Sequence, residues 1–179
     1  DLRILFNLFE QLRDELRAAR LLRAVDHVSA HKPRPNFLHN LLEVDADAIA
    51  RGAYVAAEAP AGAGEAEVVL LATGSEVGLA MKARAELTAR NVQVRVVSMP
   101  CANLFDEQDE EYRRAVLPEG VPVLAIEASK SDLWYKYFSG KGAVIGVDTF
   151  GESAPACVLW ERFGFTVENV VAKVEQLLK

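Results

Sequence analysis

Thr73-Gly74-Ser75-Glu76 lies between an apolar run of strand length and a helical pattern, and its residue types suit two roles. In open α/β sheets ligands bind at such strand-to-helix turns, where free N–H groups at a helix start can receive an anion. The same residues also make an ordinary helix start, with Glu76 complementing the helix dipole and repelling a phosphate. With one glycine and no following lysine, the stretch is neither a GxGxxG fingerprint nor a P-loop. Two readings stay open: a simple N-cap, or a turn that contacts a small anionic effector through Thr73, Gly74, Ser75 and Glu76. Glu127 ends a second apolar run, ahead of Ala128, Ser129 and Lys130. General acid or base work there would need a partner, and no histidine stands near it in the sequence. Pairing within the domain or across a subunit interface is the plainer reading. Trp134-Tyr135-Lys136-Tyr137-Phe138 sets four aromatics in five residues. On a helix these cannot all face inward, so Trp134, Tyr135, Tyr137 and Phe138 are candidates for a partner interface, beside core packing and ligand stacking.

The remaining reactive side chains exclude more than they offer. All three histidines, His27, His31 and His39, stand in the N-terminal portion. No Ser/His/Asp or zinc set can be assembled from the rest of the chain. His27 and His31 are spaced i,i+4, but solvated polar residues near a helix end explain them as well. Cys101 and Cys157 have no CxxC or metal spacing and read as reduced thiols. We therefore expect no catalytic residue, no cofactor-binding residue and no metal site in this chain. Net charge is −6 and uneven. Residues 1–39 carry seven Lys/Arg against five Asp/Glu, about +2, and residues 40–179 thirteen against twenty-one, about −8. An acidic body argues against general nucleic-acid or anionic-membrane binding. No apolar run is long enough to span a bilayer, and no cleavable signal peptide is evident, so the cytoplasm is the expected location. The chain opens on Asp1 rather than Met, which we read as a processed or truncated piece.

The elements that must position these residues fall into two regions, 1–47 and 48–179. From Asp1 to about Val25 the chain is rich in Leu and Arg, and Leu5, Leu8, Phe9, Leu12, Leu16 and Ala19 sit near helical spacing. This predicts one long amphipathic helix that must pack on the body or on another chain. His31-Lys32-Pro33-Arg34-Pro35-Asn36 cannot continue it and reads as a linker. Beyond it, apolar runs at Val68–Ala72, Val92–Val97, Val121–Glu127 and Ala143–Val147 predict strands. Helical patterns lie between them, at about Glu76–Arg90, Asp106–Val116 and Ser131–Phe138. Tyr54–Ala57 is a plausible edge strand, followed by a loop at Ala59–Gly64. Alternation with runs this apolar predicts an α/β fold with a mostly parallel sheet covered on both faces.

The last quarter carries the most local signal. Gly151 is expected to turn the chain after a strand, and Ser153 to cap a helix that Pro155 begins. That helix ends at Gly164, and Thr166 caps the next, with Glu168 and Asn169 in its first turn. Phe150, Phe163 and Phe165 are expected to anchor the core. The same stretch, Asp148-Thr149-Phe150-Gly151-Glu152-Ser153-Ala154-Pro155 with Phe163-Gly164-Phe165-Thr166-Val167-Glu168-Asn169-Val170, resembles the C-terminal domain of transketolases. Ala72-Thr73-Gly74-Ser75-Glu76-Val77, Val94-Arg95-Val96-Val97-Ser98-Met99-Pro100 with Leu104-Phe105-Asp106 and Gln108-Asp109, and Trp134-Tyr135-Lys136-Tyr137 support the resemblance in the same order. It covers the chain from about Ala48 to its end. Residues 1–45 show no match, and Ser129 stands where the family commonly has Gly.

The resemblance implies a three-layer α/β/α domain with a mostly parallel, five-stranded mixed sheet, preceded here by a helical extension. It implies a parent enzyme that moves a two-carbon ketol unit between ketose and aldose phosphates in the pentose phosphate pathway. That enzyme would use thiamine diphosphate and a divalent metal, Mg or Ca. In such dimers of three-domain subunits, the first two domains hold the cofactor and the third supplies dimer contacts. The chain alone is thus expected to be inactive, with the remaining transketolase domains or a second copy (a homodimer) as partners. A stand-alone effector-binding module and a subunit of a split transketolase are the alternatives.

Overall fold

The computed structural model describes residues 46–59 and 65–179; the helix and linker expected over residues 1–45, with His27, His31 and His39, lie outside the described residues. The described part is α/β. In chain order it runs α1 (Ala46–Ala50), β1 (Tyr54–Ala57), β2 (Val68–Ala72), α2 (Glu76–Ala89), β3 (Val94–Ser98), α3 (Ala102–Asp106) and α4 (Glu110–Val116). It continues with β4 (Val123–Ile126), a 3-10 helix (Ser131–Tyr137), β5 (Gly142–Ile145), α5 (Ala156–Arg162) and α6 (Val167–Leu177). The strands form one sheet in the order β1-β3-β2-β4-β5. β1 is antiparallel to β3, and all other neighbours are parallel.

β2 and β4 are apolar at every position, and β3 at all but Arg95 and Ser98, because both faces of the sheet are covered. Val68, Leu70, Ala72, Val94, Val96, Leu124 and Ile126 point to one side, against Val77, Ala80, Ala83 and Leu87 of α2 and Val170, Val171 and Val174 of α6. Val69, Leu71, Val97, Val123 and Ala125 point to the other, against Phe105, Val116 and Trp134. The alternation is the period-2 pleat acting on a run with no polar residue to mark a surface face. The edge strand β1 is fixed at its start by Gly52, whose φ of +88° favours glycine. A Cβ there would lie 2.3 Å from the Cys101 carbonyl oxygen. Tyr112 also donates a 2.8 Å hydrogen bond to the Ala53 carbonyl.

Several expectations need correction. The helix expected over Asp106–Val116 starts later, at Glu110, because the Asp109 side chain accepts from the Tyr112 N–H at 2.7 Å and caps it there, while Asp106 ends the separate short helix α3. The Ser131–Phe138 pattern forms a 3-10 helix, Ser131–Tyr137, whose three-residue turn groups the aromatics in pairs. Trp134 and Tyr137 meet at 6.2 Å between ring centroids, and Tyr135 and Phe138 at 5.5 Å. Ser153 does not cap α5: that helix starts at Ala156, with Pro155 in the capping position and no side-chain cap. Phe165 is buried and Phe163 packs on the core, but Phe150 is 97% exposed and anchors nothing within the described residues. Gly164 does end α5 in the left-handed region, with φ +78°, and the Thr166 hydroxyl accepts from the Asn169 N–H at 3.2 Å.

Candidate functional site

The sheet order makes the end of β2 and the end of β4 the switch point of the fold. The chain leaves β2 through α2 toward β3 on one side, and leaves β4 toward β5 on the other. Connections that diverge from two adjacent parallel strands leave a crevice at their carboxyl ends, the usual ligand position in such sheets. Ala72 and Ile126 are paired across β2 and β4, so the Thr73–Glu76 turn and Glu127 emerge side by side. Two residue groups far apart in the sequence therefore meet in one place, and Ala128 donates to Glu76 across a separation of 52 residues.

Glu76 organises the crevice. It is buried, at 5% exposure, and its carboxylate accepts from the Ser75 hydroxyl at 2.8 Å and from the Ala128 N–H at 3.2 Å. Ser75 consequently makes no side-chain cap to α2; its hydroxyl is spent on Glu76. Gly74, with φ +53°, makes the bend that brings the two strands' loops together. The acceptor in this turn is thus a carboxylate of the chain itself, and its negative charge opposes a second anion in the same place.

Glu127 is the unusual group. Its side chain is half-buried, yet Oε2 is shut off from solvent and has no hydrogen-bond partner among the described residues. Burial, and secondarily the Glu76 charge, push its carboxyl up to about 7. The pairing expected for Glu127 within the domain is not with a cation: its charged neighbour is another carboxylate. Burial of this kind lets a carboxyl hold its proton to near neutral pH, which a solvated glutamate does not do.

The loops around this crevice tie β4 to β5. Asp148, just after β5, accepts from the Ser131 N–H at 3.1 Å and from its hydroxyl at 2.8 and 2.9 Å. Asp148 thereby caps the 3-10 helix from another segment, and these bonds hold its carboxyl below the usual range. Lys130 lies between Asp132 and Asp148, at 3.7 and 3.6 Å. Sequence reasoning did not single out Ser131 and Asp148 as partners, and no spacing rule joins residues 17 apart across a strand.

Of the aromatic block, Trp134 is buried in the core while Tyr135 is 55% exposed. Tyr137 packs in the second core and donates to Asp106 at 3.1 Å. Phe138 covers Gly142, where a Cβ would lie 2.2 Å from its ring. Exposed Tyr135, Leu133 and Phe150 follow the carboxyl ends of β4 and β5. A separate open depression of about 370 Å³ lies between α3, α4 and the 3-10 helix. Most charges on its walls are mutually paired, Arg114 with Glu110 and Glu119, and Lys136 with Asp106.

A mostly parallel five-stranded sheet with one antiparallel edge strand, covered by helices on both faces, defines the class, an open α/β domain. The family model described as the transketolase-like TK C-terminal domain matches residues 52–166, and the chain belongs to that family. Transketolase 1 of Escherichia coli (strain K12) is 54% identical over 131 residues, covering 73% of this chain and 19% of that protein. The transketolase from Leishmania mexicana superposes with a TM-score of 0.66 at 45% identity, over 74% of this chain and 18% of that one. A protein described as a split gene transketolase, inactive beta4 tetramer, shares the fold, with a TM-score of 0.57 and 24% identity over 72% of this chain and 43% of that one. The chain thus spans about one fifth of the length of the curated relatives it matches.

Proposed function

We propose that this chain is the assembly domain of a thiamine-diphosphate-dependent transketolase, cytoplasmic and dimeric, acting in the pentose phosphate pathway. It makes subunit contacts and carries no chemistry of its own. The observation that carries the reading is the family match over residues 52–166, with relatives that are transketolases of which this chain covers 19%. Supporting it, Leu133, Tyr135 and Phe150 leave apolar area uncovered along the edge that follows β4 and β5. Large exposed aromatics of this kind suit burial by a partner. The partner is a second copy or the remaining transketolase domains.

The cofactor would be thiamine diphosphate with Mg or Ca, carried by those other domains. Among the described residues no group of three or more His, Cys, Asp or Glu could hold a metal ion. The crevice adds a second mismatch, because the buried Glu76 side chain is an acceptor where a diphosphate would need donors. Also among the described residues, no helix is long and apolar enough to cross a membrane. Incubating the chain with thiamine diphosphate, magnesium and sugar phosphates tests the reading. We expect no ketol transfer above background, and saturable turnover by the chain alone would refute it.

A further inference from the structure

We propose that the open depression between α3, α4 and the 3-10 helix binds a small zwitterion with an apolar side chain, of the class of the aromatic and large aliphatic amino acids. The depression measures about 370 Å³, inside the roughly 300–1,000 Å³ of small-molecule sites. Its apolar lining belongs to the second core, where Phe105 is buried and Leu117 and Tyr137 pack against it. The Phe105 and Tyr137 rings stand 6.0 Å apart between centroids, so a guest ring would extend an aromatic pair that already exists. Leu133, Tyr135 and Phe150 are absent from this lining, and ligand binding here is independent of the assembly role.

The charged lining holds three cations and three acids, and they do not cancel place by place. Lys136 closes on Asp106 at 2.5 Å, and Tyr137 donates to the same carboxylate at 3.1 Å, so that corner is spent. Arg114 stands between two acids, Glu110 at 2.5 Å and Glu119 at 3.0 Å, which leaves one negative charge over. Arg113 has neither an ion pair nor a side-chain hydrogen bond among the described residues, which leaves one positive charge over. Glu110 and Arg113 are three residues apart on α4 and share a face of that helix. The lining is therefore neutral in sum but dipolar in its unspent charge. A simple anion gains at Arg113 and is opposed by the surplus acid, and a simple cation meets the reverse. A molecule with adjacent carboxylate and ammonium groups satisfies both, its carboxylate on the Arg113 guanidinium and its ammonium toward Glu110 and Glu119. Its apolar side chain then lies on Phe105, Leu117 and Tyr137.

The test is a titration of the full chain, followed by NMR shifts, with three probes that share one ring. They are L-phenylalanine, hydrocinnamate, which lacks the ammonium, and phenethylamine, which lacks the carboxylate. We expect saturable shifts from L-phenylalanine centred on residues 110–117 and Tyr137, with a Kd in the millimolar range for an open site of this size. Removing either charge should weaken binding about fivefold, the modest worth of one ion pair between exposed groups. Arg113→Gln should weaken L-phenylalanine and hydrocinnamate about fivefold and leave phenethylamine unchanged, a pattern that a loss of helix stability would not produce. No saturable shift from L-phenylalanine, hydrocinnamate or phenethylamine binding as tightly as L-phenylalanine, or L-phenylalanine binding that ignores Arg113→Gln overturns the proposal. The probe series on the wild-type chain decides the question even if the variant fails to fold.

Discussion

Glu127 couples the candidate site to stability because its carboxyl holds a proton more tightly in the folded chain than at its ordinary value of 4.5. For an acid raised in this way the linkage has a fixed sign. The folded chain binds the extra proton between about 4.5 and about 7, so the contribution of Glu127 is full below that window and is lost as pH rises through it. The side chain is only partly buried, so the change is about 1–2 kcal/mol rather than the roughly 3 a fully buried group would give. Urea unfolding at a series of pH values should show that slope, and Glu127→Gln should flatten it. Gly52 makes a second prediction at this scale. Its left-handed φ and the 2.3 Å approach of the Cys101 oxygen leave no room for a methyl group. Gly52→Ala should cost roughly 2–3 kcal/mol in denaturant unfolding, and a neutral result would mean that β1 tolerates a shift away from the Cys101 loop.

At the scale of elements, the 3-10 helix binds the second core to the site loops. Trp134 is 3% exposed, yet its indole N–H is buried without an acceptor among the described residues. Trp134→Ala should therefore cost about 3–5 kcal/mol, while Trp134→Phe, which removes the unpaired donor and keeps most of the ring, should cost under about 1.5. Equal losses for both would show that the indole N–H is satisfied. The strands were readable in the sequence because Val68–Ala72 is apolar throughout and its fellow runs mostly so, as a doubly covered sheet requires. The antiparallel edge, the late start of the Asp106–Val116 helix at Glu110 and the tight winding of Ser131–Tyr137 were not. Each depends on a local competition, such as Asp109 taking the Tyr112 N–H, that helical periodicity does not record. The crevice was half legible. Thr73–Glu76 and Glu127 stood out one by one as strand-end residues, but their meeting follows from β2 and β4 being neighbours, and strand order is not written in any one segment.

For the molecule as a whole, the described domain presents an acidic crevice and, along the loops that follow β4 and β5, apolar residues that its own core does not use. Phe150, 97% exposed, contributes nothing to folding by this account. Phe150→Ser should change stability by less than about 0.5 kcal/mol, yet weaken association with the partner about tenfold in a sedimentation or light-scattering titration. An unchanged association constant would remove Phe150 from the interface. The assembly role itself is tested most directly by turnover. The measurement is steady-state ketol transfer by the purified chain, supplied with thiamine diphosphate, magnesium, a ketose phosphate and an aldose phosphate. The account predicts a rate indistinguishable from the protein-free control, and saturable turnover proportional to the amount of chain would contradict it.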